Sequence, residues 1–274
     1  MRTSCDIDIL VQEDDIDKSV ALLVDELQYS SLKEKTAHEV SLFSGGGIHL
    51  ELHFTIKENV DKMDVLLESV WQYSHRCEPG GCCYHQNNEF FVFHIIAHMA
   101  FHFITGGCGV RAFLDLGLLQ LKMGYEESVV KEMCGQAGLG KFYDVAQDVV
   151  KSWFKGEEKA DLVSNIEDYL LEAGVYGSTQ NRVTVEQIKT GGKFGYFLHR
   201  VFAPYKLMKV RYPILKKHKW LLPFYEIKRW ISLLTSRKSK KAMSEFEANM
   251  NVDMEKREAT EFLLKKVGLD LLNV

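Results

Sequence analysis

Apolar residues alternate with polar ones in three short runs near the start of the chain, and their spacing becomes helical from Asp61 onward. The three runs are residues 6–11, 38–43 and 48–56. Alternation with a period of two is typical of strands that have one polar and one apolar face. A turn of three glycines joins the second run to the third, which indicates an antiparallel hairpin. The chain is therefore predicted to have an α+β fold, with a small N-terminal mixed sheet followed by a mostly α-helical region.

Helical spacing of apolar residues predicts one helix before the hairpin and a series of helices after it. They cover residues 13–28, 61–75, 89–104, 110–123, 126–137, 139–154, 157–173, 182–202, 220–236 and 255–267. A loop rich in Cys, Gly and Pro is predicted over 76–87, and three prolines break the last third of the chain into short pieces. Three domains are predicted: an α/β core over 1–86, a helical domain over 87–175, and a basic, aromatic-rich helical region over 176–274.

Basic residues are concentrated in one segment of a chain whose formal net charge is only −4. Residues 193–241 contain 14 Lys and Arg and a single acid, Glu226, so this segment carries +13 and the rest of the chain −17. Ten aromatic residues lie among these basic residues. The combination suits an anionic membrane surface or an anionic substrate. Nucleic acid fits less well, because no RNA- or DNA-binding motif is recognisable. A helical subdomain with an aromatic core and a solvated basic face is the structural alternative.

The start of the chain and its cysteines indicate the compartment. Residues 1–10 have no apolar stretch and include two aspartates, so they do not form a secretory signal. The sequence contains no unbroken apolar run long enough to span a bilayer. Its six cysteines are therefore expected to be free thiols in a reducing cytoplasm. The predicted location is cytoplasmic, with peripheral contact to a membrane as an open alternative.

Two aspartates, Asp6 and Asp8, lie two residues apart in the first predicted strand, so both side chains point to the same face. Their separation suits joint binding of a hard divalent cation such as Mg²⁺, which prefers oxygen ligands. Glu51 lies on the polar face of the third run, together with His49 and His53. If the first and third strands are neighbours, the three carboxylates converge and repel one another unless a cation lies between them. A solvated strand edge without a ligand is the other interpretation of the same pattern.

Ordered sequence blocks extend from the first strand into the basic segment. They are R-T-S-C-D-I-D-I-L-V at 2–11, H-L-E-L-H-F at 49–54, F-H-I-I-A-H-M-A-F-H-F at 93–103, G-G-C-G-V-R-A-F-L-D-L-G-L-L at 106–119, and aromatic-basic stretches within 212–230. Together, over roughly residues 2–236, they resemble the uncharacterised nucleotidyltransferase family of bacteria. That family is part of the polymerase-β-type nucleotidyltransferase superfamily.

The resemblance implies a Mg²⁺-dependent transfer of a nucleotidyl group from an NTP to an unknown hydroxyl acceptor. Asp6 and Asp8 would hold two Mg²⁺ ions and Glu51 would complete one site, so these three are the expected catalytic and metal-binding residues. Glu51 could also help to deprotonate the attacking hydroxyl. Arg2 and Ser4, which belong to the first block, are expected to contact the substrate.

One part of the superfamily pattern lies upstream of the two aspartates. It is a Gly-Gly or Gly-Ser motif on a helix, whose amides hold the triphosphate, whereas only five residues precede Asp6 here. The nucleotidyltransferase-like domain is therefore expected to be N-terminally incomplete. Two alternatives to an active enzyme follow: a catalytically inactive interaction protein that kept the fold, and an accessory protein for membrane or polysaccharide assembly.

Histidines at positions 94, 98 and 102 share one face of a predicted apolar helix. They could bind phosphate or a metal ion, although histidines on such a helix are more often hydrogen-bonded core or interface residues. In the next helix Arg111 precedes Asp115 by four residues, which favours an intrahelical ion pair. The family resemblance makes Arg111 a candidate phosphate contact as well. His98, His102 and Arg111 are accordingly expected to bind the substrate.

Overall fold

The computed structural model describes residues 6–31, 36, 38–158, 160–174, 178–235 and 239–270 of the 274-residue chain. These residues form two compact units. The first unit lies within 1–94 and 125–138, and the second within 95–124 and 139–272. Both sheets lie in the first unit, together with some helices, and the described part of the second unit is helical, which confirms the predicted α+β class. The predicted division into three domains stays a prediction.

Six strands of the described chain form two sheets in the first unit. They are β1 (Asp6–Leu10), β2 (Ser30–Ser31), β3 (Glu39–Phe43), β4 (His49–His53), β5 (Ser74–Arg76) and β6 (Tyr84–Gln86). The larger sheet has the order β1-β4-β3-β2, in which β1 runs parallel to β4 and the other neighbours are antiparallel. The predicted hairpin is confirmed, because β3 and β4 pair across the glycine turn.

One face of the larger sheet is apolar and packs against α1 (Ile16–Asp25). This helix follows a 3₁₀ turn over Glu13–Asp15 and places Ile16 and Leu23 in the core. The sheet contributes four buried residues to the same core: Val40, Leu42, Leu50 and Leu52. Burial of each such side chain contributes about 1.5–3 kcal/mol. Because side chains alternate along a strand, the residues between these four face away from the core.

The remaining helices follow in chain order. They are α2 (Asp61–Leu67), α3 (Asn88–Ile104), α4 (Val110–Lys122), α5 (Glu127–Gln136), α6 (Gly140–Lys155), α7 (Asp161–Ala173), α8 (Thr179–Thr190), α9 (Lys193–Val201), α10 (Tyr205–Arg211), α11 (Leu222–Thr235), α12 (Ser239–Asn251) and α13 (Met254–Lys266). Short 3₁₀ helices cover Pro213–Lys216 and Lys219–Leu221. None of the helices described has the length and apolar character needed to cross a bilayer.

The structure differs from the predicted elements between residues 68 and 87. The helix predicted over 61–75 ends at Leu67, and the predicted loop over 76–87 contains most of the β5–β6 hairpin. The Cys77 amide donates to the Cys83 carbonyl at 3.0 Å and closes this hairpin around a turn in which Gly80 has a φ of 80°. Backbone hydrogen bonds of this kind leave no apolar periodicity, so the sequence pattern missed them.

The helix predicted over 182–202 is two helices, α8 and α9. Gly191 and Gly192 separate them, with φ values of 80° and 112° that residues with a side chain rarely adopt. Two further helices, α10 and α12, were not predicted. Both are rich in lysine or other polar residues, so their apolar spacing is weak.

Close backbone contact and ion pairs to one buried carboxylate hold parts of the second unit together. A Cβ atom on Gly106 would lie 2.0 Å from the Arg182 Cα, so only glycine fits where this loop meets α8. The buried Glu245 carboxylate of α12 accepts hydrogen bonds from Arg182 of α8 and Arg200 of α9. These contacts link helices that are distant in sequence.

Candidate active site

The face of the larger sheet that points away from the core is rich in acids and histidines. We call it the acidic face, and it consists of Asp6 and Asp8 on β1, Glu39 on β3, and His49, Glu51 and His53 on β4. The parallel register sets Asp8 opposite Glu51 and Asp6 opposite His49. The first and third alternating runs are therefore neighbours, which is the condition under which the three predicted carboxylates converge.

The two histidines of β4 lie among these carboxylates. His53 Nε2 is 3.3 Å from Asp8 Oδ1, 3.7 Å from Glu39 Oε2 and 3.7 Å from Glu51 Oε2. His49 Nε2 is 3.6 Å from Glu51 Oε1. The Phe43 ring stacks on the His49 ring with centroids 4.4 Å apart, which restricts the orientation of that imidazole.

Two sets of three side chains on the acidic face could each hold a metal ion. Asp6, His49 and Glu51 form one set, and Asp8, Glu51 and His53 form the other. In each set the ligand atoms lie within 4.8 Å of one another. Glu51 belongs to both sets, so the face offers two adjacent positions that share one carboxylate.

The chemistry of this face fits a divalent cation. Carboxylate oxygens are the ligands that Mg²⁺ prefers, and imidazole nitrogens also suit transition metals. Two buried polar atoms, His49 Nε2 and Ser41 Oγ, have no hydrogen-bond partner among the described residues. Ser41 is 2% exposed and lies opposite Glu51 in the sheet. Buried polar atoms in proteins are nearly always paired. A hydrated cation bound at this face would supply hydrogen-bond or ligand partners for these two atoms.

Electrostatic repulsion on the acidic face is centred on Glu51. Partial burial raises the pKa of the Glu51 carboxyl above its usual value, and the neighbouring Glu39 carboxylate raises it further. His49 opposes this shift, whereas Asp8 and Asp6 add to it. The ionised form of Glu51 is thus disfavoured by its surroundings, and a bound cation would remove that penalty.

Some of the predicted site residues lie close together in the structure, and others are not among the described residues. Asp6, Asp8 and Glu51 converge on one face, whereas Arg2 and Ser4 lie outside the described residues. The sequence interpretation did not assign roles to His49 and His53, although their alternation with Glu51 had placed them on the same face. Glu39 was missed altogether, because its proximity depends on the register of β3 against β4.

The other predicted substrate contacts belong to the second unit, whereas the acidic face belongs to the first. His98 and His102 are exposed on α3, and their Nε2 atoms lie 3.0 Å apart. At that distance one imidazole can donate a hydrogen bond to the other. Arg111 is partly exposed near the start of α4. Substrate binding by these three residues stays a prediction.

A cavity of about 720 Å³ lies in the first unit, at the carboxyl ends of β1 and β4. Its wall includes Gln12 and Glu13 after β1, residues 54–57 after β4, and the Trp71 indole. Phe54, one of the lining residues, directly follows His53 of the acidic face in the sequence. Its volume lies in the range of small-molecule sites, about 300–1,000 Å³.

The fold and the acidic face together define an α+β protein with a candidate divalent-metal centre on its sheet. A family model described as an uncharacterised nucleotidyltransferase matches residues 1–155, more than half of the chain, and the chain belongs to this family. The family resemblance is thereby confirmed, and the sequence blocks after residue 155 lie outside the match. No curated protein and no solved structure gives a significant match.

Proposed function

We propose that this protein is a Mg²⁺-dependent nucleotidyltransferase that moves a nucleotidyl group from an NTP to a hydroxyl acceptor. The observation that carries the proposal is the convergence of Asp6, Asp8 and Glu51 on two adjacent parallel strands, within two overlapping sets of ligand atoms. Membership of the nucleotidyltransferase family supports the same class of reaction.

Each ligand set would hold one of two Mg²⁺ ions. Asp6 would contribute to the first position, Asp8 to the second, and Glu51 to both. When bound, such ions neutralise the triphosphate, activate the attacking oxygen and support the leaving pyrophosphate. His49 and His53 would add one nitrogen ligand to each set. Because Glu51 is common to both, its replacement should disturb both positions.

The chain's own residues must bind the reactants and accept a proton. The acceptor oxygen forms a bond to the α-phosphorus of the NTP, and the bond from that phosphorus to the pyrophosphate oxygen breaks. The hydroxyl proton leaves the acceptor oxygen and is taken up at the acidic face, whose ionised carboxylates can only accept hydrogen bonds. The products are the nucleotidylated acceptor and pyrophosphate.

The cavity beside the acidic face is the proposed acceptor site. It lies beyond the carboxyl ends of two parallel strands, where ligands of open α/β sheets commonly bind. Its lining combines the Trp71 and Phe54 rings with polar groups such as Asn59. Most of the lining residues are polar or charged, so the wall suits a small polar molecule that carries hydroxyls.

Pyrophosphate release from NTPs in the presence of Mg²⁺ tests this function. We expect the wild-type chain, supplied with a panel of hydroxyl compounds, to release pyrophosphate, and Asp6→Asn and Asp8→Asn to lose the signal. Asp25→Asn removes an exposed acid at the end of α1 and serves as the matched control. Equal rates in wild-type and Asp8→Asn proteins would refute the assignment.

A binding measurement distinguishes this function from that of a catalytically inactive protein with the same fold. Calorimetric titration of the protein with NTP and Mg²⁺ should give saturable binding that Asp8→Asn weakens. A chain that binds neither NTP nor Mg²⁺ would be the inactive interaction protein that the sequence left open.

A further inference from the structure

Helix α11 presents its apolar side to solvent and its charged side to the protein. Phe224, Ile227 and Ile231 are 64%, 50% and 56% exposed, and their spacing places them on one side of the helix. We call these three residues the α11 stripe. On the opposite side Glu226 and Arg229 are buried and joined by a hydrogen bond of 2.8 Å from Nε to Oε2. A helix at an ordinary protein surface has the reverse arrangement.

A tryptophan and several lysines lie near the α11 stripe in the chain. Trp220, in the 3₁₀ helix that precedes α11, is 70% exposed. Lys216, Lys217, Lys219 and Lys228 are exposed as well. Lys228 Nζ lies 5.8 Å from the centroid of the Tyr212 ring and 5.7 Å from that of Tyr225, so its charge is held beside two aromatic rings.

The charge of the surrounding chain is strongly one-sided. Residues 193–235 contain ten Lys and Arg and one acid, and that acid, Glu226, is neutralised by Arg229. Isolated exposed apolar residues are common on proteins, but a continuous stripe with an exposed tryptophan and several cations is not. Tryptophan and lysine together are typical of helices that lie in the interface of a membrane.

We propose that the α11 stripe and Trp220 dock on an anionic lipid bilayer. The apolar side chains would enter the boundary between headgroups and acyl chains, and the flanking lysines would contact lipid phosphates. A nucleic acid would complement the lysines but would leave the stripe in water. This surface is independent of the acidic face, so its function does not depend on nucleotidyl transfer.

Sedimentation of the full chain with vesicles tests the proposal. We expect binding to vesicles of phosphatidylcholine and phosphatidylglycerol, and several-fold less binding to phosphatidylcholine alone. Raising NaCl to about 1 M, where the Debye length is about 3 Å, should release most of the protein. Equal binding to neutral vesicles, or no binding to anionic ones, would overturn the proposal.

Variants distinguish the apolar contribution from the charge. Ile227→Ser with Ile231→Ser should weaken vesicle binding roughly tenfold or more, and Lys216→Gln, Lys217→Gln and Lys219→Gln together roughly a hundredfold. Leu171→Ser changes a residue on α7 that is 70% exposed, and it should bind as wild type. Circular dichroism of each variant checks that the helices are intact. Wild-type binding by the folded stripe variant would contradict docking through α11.

Trp220 supplies a direct readout of insertion. Its fluorescence should shift to the blue when anionic vesicles are added, and the Trp220→Phe protein should lack that shift. If instead the chain dimerises and the stripe variant abolishes the dimer, a second copy covers α11. If RNA binds through the lysines while vesicles do not, nucleic acid is the partner, and either result overturns the lipid assignment.

Discussion

The acidic face of the first unit and the α11 stripe of the second differ in the charge and polarity of the groups that they bring together. On the acidic face, four carboxylates and two imidazoles crowd together, and Glu51 is partly withdrawn from water. Around the α11 stripe, lysines are spread along the chain and the crowded groups are apolar. The first arrangement calls for small, concentrated positive charge, whereas the second calls for a low-dielectric surface with dispersed negative charge.

This contrast explains why net charge describes the protein poorly. A value of −4 for 274 residues suggests no particular partner. Separated by position, the same residues form one region that attracts cations and another that attracts anions. The location of charges relative to buried atoms, rather than their sum, determines what each region can bind.

The largest expected effect comes from placing a fixed cation on the acidic face. Glu51→Lys would supply an ammonium group where the carboxylates repel one another and would remove the ligand common to both sets. We expect nucleotidyl transfer to fall about a thousandfold or more while the fold remains stable, measured as pyrophosphate release and thermal unfolding. Glu26→Lys, on the exposed end of α1, makes the same charge change away from the site and should leave the rate unaltered.

The fold was largely predictable where the relevant contacts are local. Alternation over 38–43 and 48–56, with glycines between, was sufficient for the β3–β4 hairpin. The spacing of Asp6 and Asp8 was sufficient to place both on one face. The parallel pairing of β1 with β4 depends on the path of the chain through α1. The sequence alone therefore did not establish that these two strands are neighbours.

Other features depend on tertiary context and were not predictable. The approach of Glu39 to His53 requires the register of β3 against β4. The side of α11 that faces solvent could not be read from periodicity, because an amphipathic pattern does not say which side is buried. In α11 the side that carries the ion pair of Glu226 and Arg229 is buried, and the apolar side is exposed.

Breaking that pair tests the reversed arrangement of α11. Arg229→Met would leave the buried Glu226 carboxylate without its partner and should destabilise the second unit by about 3 kcal/mol. Chemical denaturation followed by circular dichroism measures this change. Lys228→Met, at the adjacent exposed position, should alter stability by less than about 0.5 kcal/mol. Similar losses in both variants would show that α11 is not anchored through its charged side.

A smaller effect is expected for the choice of metal. His53→Gln removes a nitrogen ligand from one set, so it should lower the affinity for Mn²⁺ about tenfold and affect Mg²⁺ less. Competition between the two ions, followed by Mn²⁺ electron paramagnetic resonance, measures the ratio. The exposed His75 on β5 provides the control, His75→Gln. An unchanged ratio in His53→Gln would exclude the imidazole as a ligand.

The smallest expected effect is on the stability of the metal-free protein. Because burial and Glu39 raise the pKa of Glu51, its ionised form destabilises the fold, and Glu51→Gln should raise stability by less than about 1 kcal/mol at neutral pH. The advantage should shrink as the pH falls through the titration range of Glu51, since the wild-type carboxyl then takes up a proton in the folded state. Thermal unfolding with chelator at several pH values measures it, and a loss of stability at neutral pH would contradict the repulsion described here.

The account depends most on whether the acidic face binds divalent ions together with a nucleotide. Electron paramagnetic resonance of Mn²⁺, titrated into the protein with a non-hydrolysable NTP analogue, counts bound ions directly. We predict two ions per wild-type chain, weakened binding in Asp8→Asn, and wild-type behaviour in Asp25→Asn. Failure of the wild-type chain to bind Mn²⁺, or equal binding by Asp8→Asn, would contradict the assignment of this face as a nucleotidyltransferase centre.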